Sequence, residues 1–236
     1  MPTETFKTKR GELETYFDRT AVDAWKRLTS NAPVSGIRAT VRKGRDEMRG
    51  TLLSWLPENM HGTTLLDAGC GTCALTFEAA NRGANVTAVD VSQNLIDHAK
   101  QNFTNPAIAS NVRYEVGDML DSAFGDHDYV VAMDSLIHYP AADIVEALAS
   151  LASRTNKGIY FTIAPSTVPL EIMHKVGKLF PKSDRSPAIQ PVSPAKLKRF
   201  ISLRPDLRNW EVVETRRIKS GFYISEAIRL QRKREV

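Results

Sequence analysis

The chain has 236 residues, of which 42% are hydrophobic and 25% charged, and this composition excludes the disordered, collagen-like and disulfide-rich classes of protein. The net charge of +5 is unevenly spread: residues 1–150 hold 14 basic and 20 acidic residues, whereas residues 151–236 hold 18 and 7. The longest uninterrupted apolar run, Tyr129–Met133, is far shorter than the roughly 20 residues of a membrane-spanning helix. The polar start of the chain lacks the apolar core of a signal peptide.

We therefore expect a cytoplasmic protein with at most peripheral membrane association. The two cysteines, Cys70 and Cys73, are too close together to staple a secreted fold, which agrees with a reducing compartment. The basic last third would suit an acidic ligand or simply a solvated surface. No zinc-finger or aromatic-basic RNA-binding pattern accompanies it, so we expect no nucleic-acid partner.

The first 61 residues predict two amphipathic helices. Apolar side chains recur at helical spacing at residues 13–17 and again over Ile37–Leu56. The proline-containing segment Asn31–Pro33 separates the two helices, and Pro57 ends the second. We interpret residues 1–61 as an N-terminal helical lid in front of the main domain.

From Gly62 onward, short apolar strands alternate with helical segments. The predicted strands are Thr63–Asp67, Asn85–Asp90, Val112–Val116, Tyr129–Asp134 and Gly158–Ala164. The predicted helices between them are Ala74–Asn81, Asn94–Phe103 and Ala142–Ala152. This alternation predicts an α/β, Rossmann-like fold with a mostly parallel sheet covered by helices on both faces.

The last third adds a helical insertion and a hairpin. Prolines punctuate an insertion at about residues 166–203, with predicted helices at Val168–Phe180 and Pro194–Ile201. The strands Trp210–Arg217 and Phe222–Leu230 then face each other across Lys219-Ser220-Gly221 and predict a C-terminal antiparallel hairpin. Residues 62–236 are thus expected to form one domain that contains the insertion.

A glycine-rich turn follows the first predicted strand and opens a helix. Its sequence is Asp67-Ala68-Gly69-Cys70-Gly71-Thr72-Cys73, and its glycines allow a ligand to approach backbone N–H groups closely. Taken alone, the turn also fits the relaxed dinucleotide pattern, with Asp90 at the end of the next strand. Two further features are Asp67, an acid two residues before the first glycine, and Gly117-Asp118-Met119 after the third strand. With them, the turn resembles the cofactor loop of class I S-adenosylmethionine-dependent methyltransferases. A nicotinamide-type site and a purely structural turn remain the alternatives.

The resemblance implies a division of labour among the acids. Asp67 would hold the methionine ammonium, Asp90 would accept the ribose hydroxyls, and Asp118 would receive the exocyclic amine of adenine. The implied cofactor-binding set is Asp67, Ala68, Gly69, Gly71, Asp90, Val91, Asp118, Met119 and Met133. Carboxylates at strand ends also serve as helix N-caps, which is the competing interpretation for Asp67, Asp90 and Asp134. Cys73 stands where these enzymes usually have a third glycine, which raises the question of whether it weakens cofactor binding.

Segments outside this loop carry a narrower resemblance. They are Tyr16–Thr20, Trp25, Ile37–Arg45, Val131–Tyr139, Phe180-Pro181 and Arg185–Ile189. Together they resemble the magnesium-protoporphyrin IX methyltransferases of bacteriochlorophyll synthesis, in their purple-bacterial form. The resemblance implies transfer of a methyl group from S-adenosylmethionine to one porphyrin propionate, with magnesium present only as part of the substrate. A propionate is ionised at pH 7, so this reaction needs no strong general base.

The same resemblance suggests substrate-side residues and a partner. His138 follows the fourth strand and is the favoured positioning residue, with Asp134 and Tyr139 beside it as further catalytic candidates. The candidate substrate-binding residues are Tyr16, Arg38, Arg42, Met173, His174 and Arg185. Each has a plainer interpretation as a core side chain or a solvated charge. The implied partner, besides the porphyrin, is the porphyrin-carrying subunit of magnesium chelatase.

Two alternative functions and one redox hypothesis accompany this interpretation. The chain would otherwise be another small-molecule O-methyltransferase, or a regulatory or assembly protein that binds S-adenosylmethionine without turnover. The Cys70-x-x-Cys73 spacing also suggests a redox or metal site, although the flanking acids argue against it. We expect a helix N-terminus to favour the Cys73 thiolate and a Cys70–Cys73 bridge to distort the cofactor turn.

Overall fold

The computed structural model describes residues 3–19, 36–103, 105–166 and 188–233. The strands are β1 (Thr64–Ala68), β2 (Asn85–Asp90), β3 (Val112–Val116), β4 (His127–Ala132), β5 (Thr155–Ile163), β6 (Trp210–Ser220) and β7 (Tyr223–Arg232). The helices are α1 (Glu4–Arg19), α2 (Gly36–Ser54), α3 (Ala74–Asn81), α4 (Gln93–Asn102), α5 (Pro106–Ala109), α6 (Ala141–Ala152) and α7 (Pro194–Leu203). A short 3₁₀ helix, Leu136–His138, follows β4.

The strands form one sheet in the order β3-β2-β1-β4-β5-β7-β6. Neighbours from β3 to β5 are parallel, while β7 pairs antiparallel with both β5 and β6. The predicted fold class is therefore confirmed. The chain moves outward from β1 to β3 and then returns to β4, so the carboxyl ends of β1 and β4 lie at a topological switch point, where open α/β sheets bind ligands.

The structure moves some predicted boundaries. The fourth strand lies two residues earlier than predicted and ends at Ala132, because Asp134 has a left-handed backbone with φ +55° that a strand does not accommodate. The hairpin turns at Gly221 and Phe222 rather than at 219–221, since Ser220 still pairs with Tyr223 and Gly221 supplies the positive φ of a tight turn. The predicted helix Val168–Phe180 lies outside the described residues.

The leader helices pack into the core of the sheet. Helix α2 buries Met48 and Leu52 against the hairpin side, and Gly44 lies so close to the Tyr223 ring that an added Cβ would come within 2.5 Å of its Cδ1 atom. Helix α1 buries Phe6, whose ring stacks on Tyr139 with centroids 4.3 Å apart. The division into residues 1–61 and 62–236 stays a prediction. Within the described ranges, no helix is both long and apolar enough to cross a membrane.

Candidate active site

A cavity of about 250 Å³ opens at the carboxyl ends of β1, β2 and β4, and α1 and α2 cover it. Its wall is formed by Phe6, Arg10, Leu13, Phe17, Arg42, Arg45, Asp46, Arg49, Asp67, Gly69, Cys70, Gly71, Thr72, Ala74, Leu75, Val89, Asp90, Val91, Leu95, Gly117, Asp118, Met119, Met133, Asp134, Ser135, His138 and Tyr139. The cavity therefore joins the glycine turn, the acids after the strands and the segment after β4, as the sequence predicts for a ligand site.

The glycine turn lies flush against the segment that follows β4. Gly69 has φ +83°, and a Cβ added there would come within 2.4 Å of the Ser135 Cβ atom. Gly71 also has a positive φ, of +55°. Side chains other than glycine are disfavoured in this region. The turn thus needs Gly69 both for its backbone conformation and for close contact with Ser135.

Two buried carboxylates face the turn. Asp67 is 2% exposed and accepts a hydrogen bond of 2.6 Å from the Thr76 hydroxyl. Burial, opposed in part by that bond, raises the pKa of Asp67 to about 7, and the charge of Asp90 adds to the rise. Asp90 accepts backbone hydrogen bonds from Gly71 (2.8 Å) and Ser92 (2.9 Å). It therefore ties the end of β2 to the glycine turn.

The helix-capping alternative does not hold for these acids. The N-cap of α4 is Ser92, whose hydroxyl accepts a hydrogen bond from the Leu95 backbone. The N-cap position of α3 is Cys73, which makes no side-chain cap. Neither Asp67, before α3, nor Asp90, before α4, is at the N-cap position; both line the cavity, and Asp90 accepts a hydrogen bond from the turn.

Asp118 and Asp134 are each held by an arginine from a leader helix. Arg10 of α1 bonds Asp118 at 2.7 Å, and Arg45 of α2 bonds Asp134 at 2.6 Å. Sequence reasoning did not select Arg10, since nothing local marks its partner 108 residues away. The sequence predicts Arg45 on the polar side of the leader helix, together with Arg38 and Arg42.

The other predicted substrate-side residues divide into three groups. His138, only 7% exposed, lines the cavity together with Tyr139 and Arg42. Arg38 is exposed and Tyr16 packs against Phe17, and neither belongs to the cavity wall. Outside the described residues lie Met173, His174 and Arg185. In the cofactor set, Ala68 is the one member that is buried in its strand rather than lining the cavity.

The two cysteines take different positions at the turn. Cys70 lines the cavity, and burial raises the pKa of its thiol well above the ordinary value. Cys73 is fully buried beside Ala88 and Ala99 and is absent from the cavity wall. Both thiols are free. The raised pKa disfavours a reactive thiolate at Cys70, and Cys73 is closed to solvent. The effect of a Cys70–Cys73 bridge on the cofactor turn stays a prediction.

Comparisons with known proteins agree with this site. Residues 132–232 match a family model described as magnesium-protoporphyrin IX methyltransferase C-terminus, and residues 65–158 match a methyltransferase-domain model. A magnesium-protoporphyrin O-methyltransferase of Rhodobacter capsulatus is 47% identical over 229 residues, which cover 97% of this chain and 98% of the relative. The chain belongs to the magnesium-protoporphyrin O-methyltransferase family.

A sequence and a crystal structure from Synechocystis support the assignment. A magnesium-protoporphyrin O-methyltransferase is 30% identical over 168 residues, which cover 70% of this chain and 73% of the relative. The crystal structure of a magnesium protoporphyrin IX methyltransferase with bound SAH has a TM-score of 0.81 and 25% identity, and covers 94% of this chain and 99% of that chain. The family's fold is thus retained over the described chain.

The cavity's donors and acceptors fit S-adenosylmethionine, the cofactor expected for this family. Its ammonium, ribose hydroxyls and adenine amine are all donors, and the cavity offers them three carboxylates: Asp67, Asp90 and Asp118. The hydroxyl oxygen of Ser135 is buried beside Gly69 with no hydrogen-bond partner among the described residues, so it is available to a ligand. Met119 and Met133 add apolar wall.

The raised pKa of Asp67 predicts a pH-dependent cofactor affinity. In the free protein Asp67 is largely protonated below pH 7, whereas a bound ammonium favours the carboxylate and lowers its pKa. Binding then releases a proton, and we expect the affinity for S-adenosylhomocysteine to rise about tenfold from pH 5.5 to pH 7. Above about pH 8 affinity should fall as the ligand's own amine deprotonates. Calorimetric titration at a series of pH values measures both the rise and the fall in affinity.

The Asp67→Asn variant is the matched control for this pH dependence. It should bind more weakly at every pH and lose the rise between pH 5.5 and pH 7, because the titrating group is gone. A wild-type affinity that stays flat over that interval would contradict the placement of the ammonium beside Asp67.

The position of Cys73 predicts that it does not limit cofactor binding. Its backbone is left-handed, with φ +62°, which explains the usual glycine, but its side chain lies outside the cavity wall. We expect Cys73→Gly to change the dissociation constant of S-adenosylhomocysteine by less than about twofold, because relief of backbone strain of about 1–2 kcal/mol acts on the fold rather than on the ligand. A tenfold change in calorimetry would place the thiol at the ligand after all.

Proposed function

We propose that this protein transfers a methyl group from S-adenosylmethionine to a propionate carboxylate of magnesium protoporphyrin IX, giving the monomethyl ester of (bacterio)chlorophyll biosynthesis. The observation that carries the proposal is the 47% identity with the Rhodobacter capsulatus enzyme over nearly the whole of both chains. The cavity supports it, since acids suited to the cofactor and a buried histidine at the end of β4 share one wall.

The chain's contribution to this reaction is placement and exclusion of water. Bound S-adenosylmethionine would supply a methyl group carried on its sulfonium sulfur, and that sulfur becomes the neutral thioether of the leaving group. Asp67 and Asp90 fix the position of the donor, while His138 and Tyr139 line the side from which a carboxylate approaches. The Phe6–Tyr139 stack adds apolar surface to the wall of the cavity. Alignment of this kind contributes on the order of 7–11 kcal/mol to lowering a barrier. Because the propionate is already ionised at pH 7, no base is required.

The remaining assignments rest on the family resemblance. We assign the substrate-positioning role to His138 and a flanking role to Tyr139. Contacts of Met173, His174 and Arg185 with the porphyrin face stay predictions. Delivery of the porphyrin by a subunit of magnesium chelatase, and peripheral attachment to the photosynthetic membrane, stay predictions of the same kind.

Labelled methyl transfer tests the proposal. Purified protein is incubated with methyl-labelled S-adenosylmethionine and magnesium protoporphyrin IX, and the porphyrin is analysed by liquid chromatography with mass detection. We expect one labelled methyl ester per porphyrin, with no label when S-adenosylhomocysteine is in excess. Binding of both ligands without any labelled ester would instead support the regulatory alternative, and a labelled acceptor other than the porphyrin would support a different O-methyltransferase.

A further inference from the structure

Helix α2 turns a stripe of arginines toward the cavity. Arg42, Arg45 and Arg49 follow one another at helical spacings of three and four residues, and all three line the wall. Arg49 is bound at the helix surface by Asp46 (3.0 Å) and Glu78 (2.7 Å). Arg45 is directed differently, because its partner Asp134 lies just beyond the carboxyl end of β4. Its guanidinium donates to Asp134 Oδ2 at 2.6 Å.

Asp134 is fastened from several elements. The Tyr223 hydroxyl lies 3.1 Å and 3.3 Å from its two carboxylate oxygens, and the Thr162 hydroxyl donates to Oδ1 at 3.2 Å. The Asp134 backbone N–H in turn donates to the Thr162 hydroxyl at 2.7 Å. With a side chain only 4% exposed and this many donors, the carboxylate is a fixed anchor for Arg45.

The anchor lies on the acceptor half of the sheet. Asp67 and Asp90 lie at the carboxyl ends of β1 and β2, and Asp118 follows β3; this is the half of the sheet assigned above to the cofactor. Asp134 follows β4, and its partners Thr162 and Tyr223 belong to β5 and β7 on the opposite side of the switch point. Arg45 is therefore a partly buried cation, held by Asp134 on the side of the switch point opposite Asp67, Asp90 and Asp118.

We propose that Arg45, oriented by Asp134, binds the porphyrin propionate that is not methylated. This inference rests on the proposed function and names the residue that fixes which carboxylate reacts. A planar guanidinium binds a carboxylate with paired hydrogen bonds. Such pairing would occupy the oxygens and lower the nucleophilicity of a reacting propionate, so it suits the second propionate. Asp134 acts as a positioning residue in this arrangement.

Binding of two esters tests the assignment without turnover. Magnesium protoporphyrin monomethyl ester, the product, keeps the second propionate, whereas the dimethyl ester lacks both carboxylates. Dissociation constants are measured from the Soret-band shift with S-adenosylhomocysteine present. We expect wild-type protein to bind the monomethyl ester at least tenfold more tightly than the dimethyl ester, and Arg45→Met to bind both equally weakly. An unchanged preference in Arg45→Met overturns the proposal.

Matched variants separate this result from a folding defect. The pair Arg217–Glu226 also joins an arginine to a buried carboxylate, at 2.6 Å, but it lies outside the cavity wall. Arg217→Met should therefore keep the full preference for the monomethyl ester over the dimethyl ester. If Arg45→Met fails to fold, Arg45→Lys is the second variant. It retains the positive charge but lacks the planar guanidinium, so it should lose most of the preference for the monomethyl ester. Retention of the full preference in a folded Arg45→Lys protein overturns the proposal.

Two further measurements test the role of Asp134 and the choice of ligand. Asp134→Asn should raise KM for magnesium protoporphyrin about tenfold with kcat changed less than about threefold, whereas an abolished kcat at unchanged KM overturns the positioning role.

Arg45→Met should bind S-adenosylhomocysteine within about twofold of wild type. A tenfold loss there reassigns Arg45 to the cofactor's carboxylate and overturns the proposal. If the wild-type protein methylates the porphyrin, the proposed function stands whichever result Arg45 gives.

Discussion

Replacement of Asp90 by alanine is expected to weaken binding of S-adenosylhomocysteine by about 100-fold. The cofactor's ribose would lose two hydrogen bonds to a charged acceptor, which contribute about 1.5–3 kcal/mol each. The same carboxylate also holds the Gly71 and Ser92 backbone N–H groups, so the turn itself would loosen. Isothermal calorimetry on folded protein measures the affinity, and thermal unfolding measures the accompanying loss of stability.

Asp97 provides the control for this experiment. It is an exposed carboxylate on α4, close in sequence to Asp90 but absent from the cavity wall. We expect Asp97→Ala to bind S-adenosylhomocysteine as wild type does. If Asp90→Ala binds the ligand with undiminished affinity, the assignment of Asp90 to the ribose is wrong.

Replacement of His138 by alanine is expected to lower kcat for magnesium protoporphyrin about 100-fold while leaving affinity for S-adenosylhomocysteine within about twofold. His138 lies in the 3₁₀ helix after β4 and lines the acceptor side of the cavity. Loss of a group that positions the propionate lets the reacting atoms move out of line, and a misplacement of about 1 Å costs about 100-fold in rate. Single-turnover methylation and calorimetry separate the two quantities.

His98 is the matched control, since it is a partly buried histidine on α4 that does not line the cavity. His98→Ala should methylate the porphyrin at the wild-type rate. Wild-type turnover by His138→Ala would make His138 a structural side chain.

Local patterns were enough to predict the sheet and the cofactor half of the site. The alternation of short apolar strands with amphipathic helices is a property of neighbouring residues, and β2, β3 and α3 have the bounds that it predicts. Asp67 and Asp90 lie at the carboxyl ends of β1 and β2, and Asp118 is the second residue after β3. Because parallel strands end at one edge of a sheet, their convergence follows from the fold class alone.

The acceptor half depends on contacts that no local pattern encodes. Arg45 and Asp134 are 89 residues apart, and Tyr223 is another 89 residues beyond Asp134. Their meeting depends on how α2 lies across the hairpin, which the close packing of Gly44 on Tyr223 fixes. Arg38 lies one helical turn before Arg42 on the same side of α2, but it falls in the exposed first turn of the helix, and only Arg42 reaches the cavity wall.

The sequence by itself thus determined the Rossmann-like class, the glycine turn and the identity of the carboxylates, since each follows from residues a few positions apart. The tertiary structure decided which charges are paired, which cysteine faces the cavity and where β4 ends. Those outcomes depend on burial and on side chains from distant elements. Asp134 shows the difference: as a carboxyl after a strand it resembles a catalytic acid, and its left-handed backbone and the arginine of α2 make it an anchor.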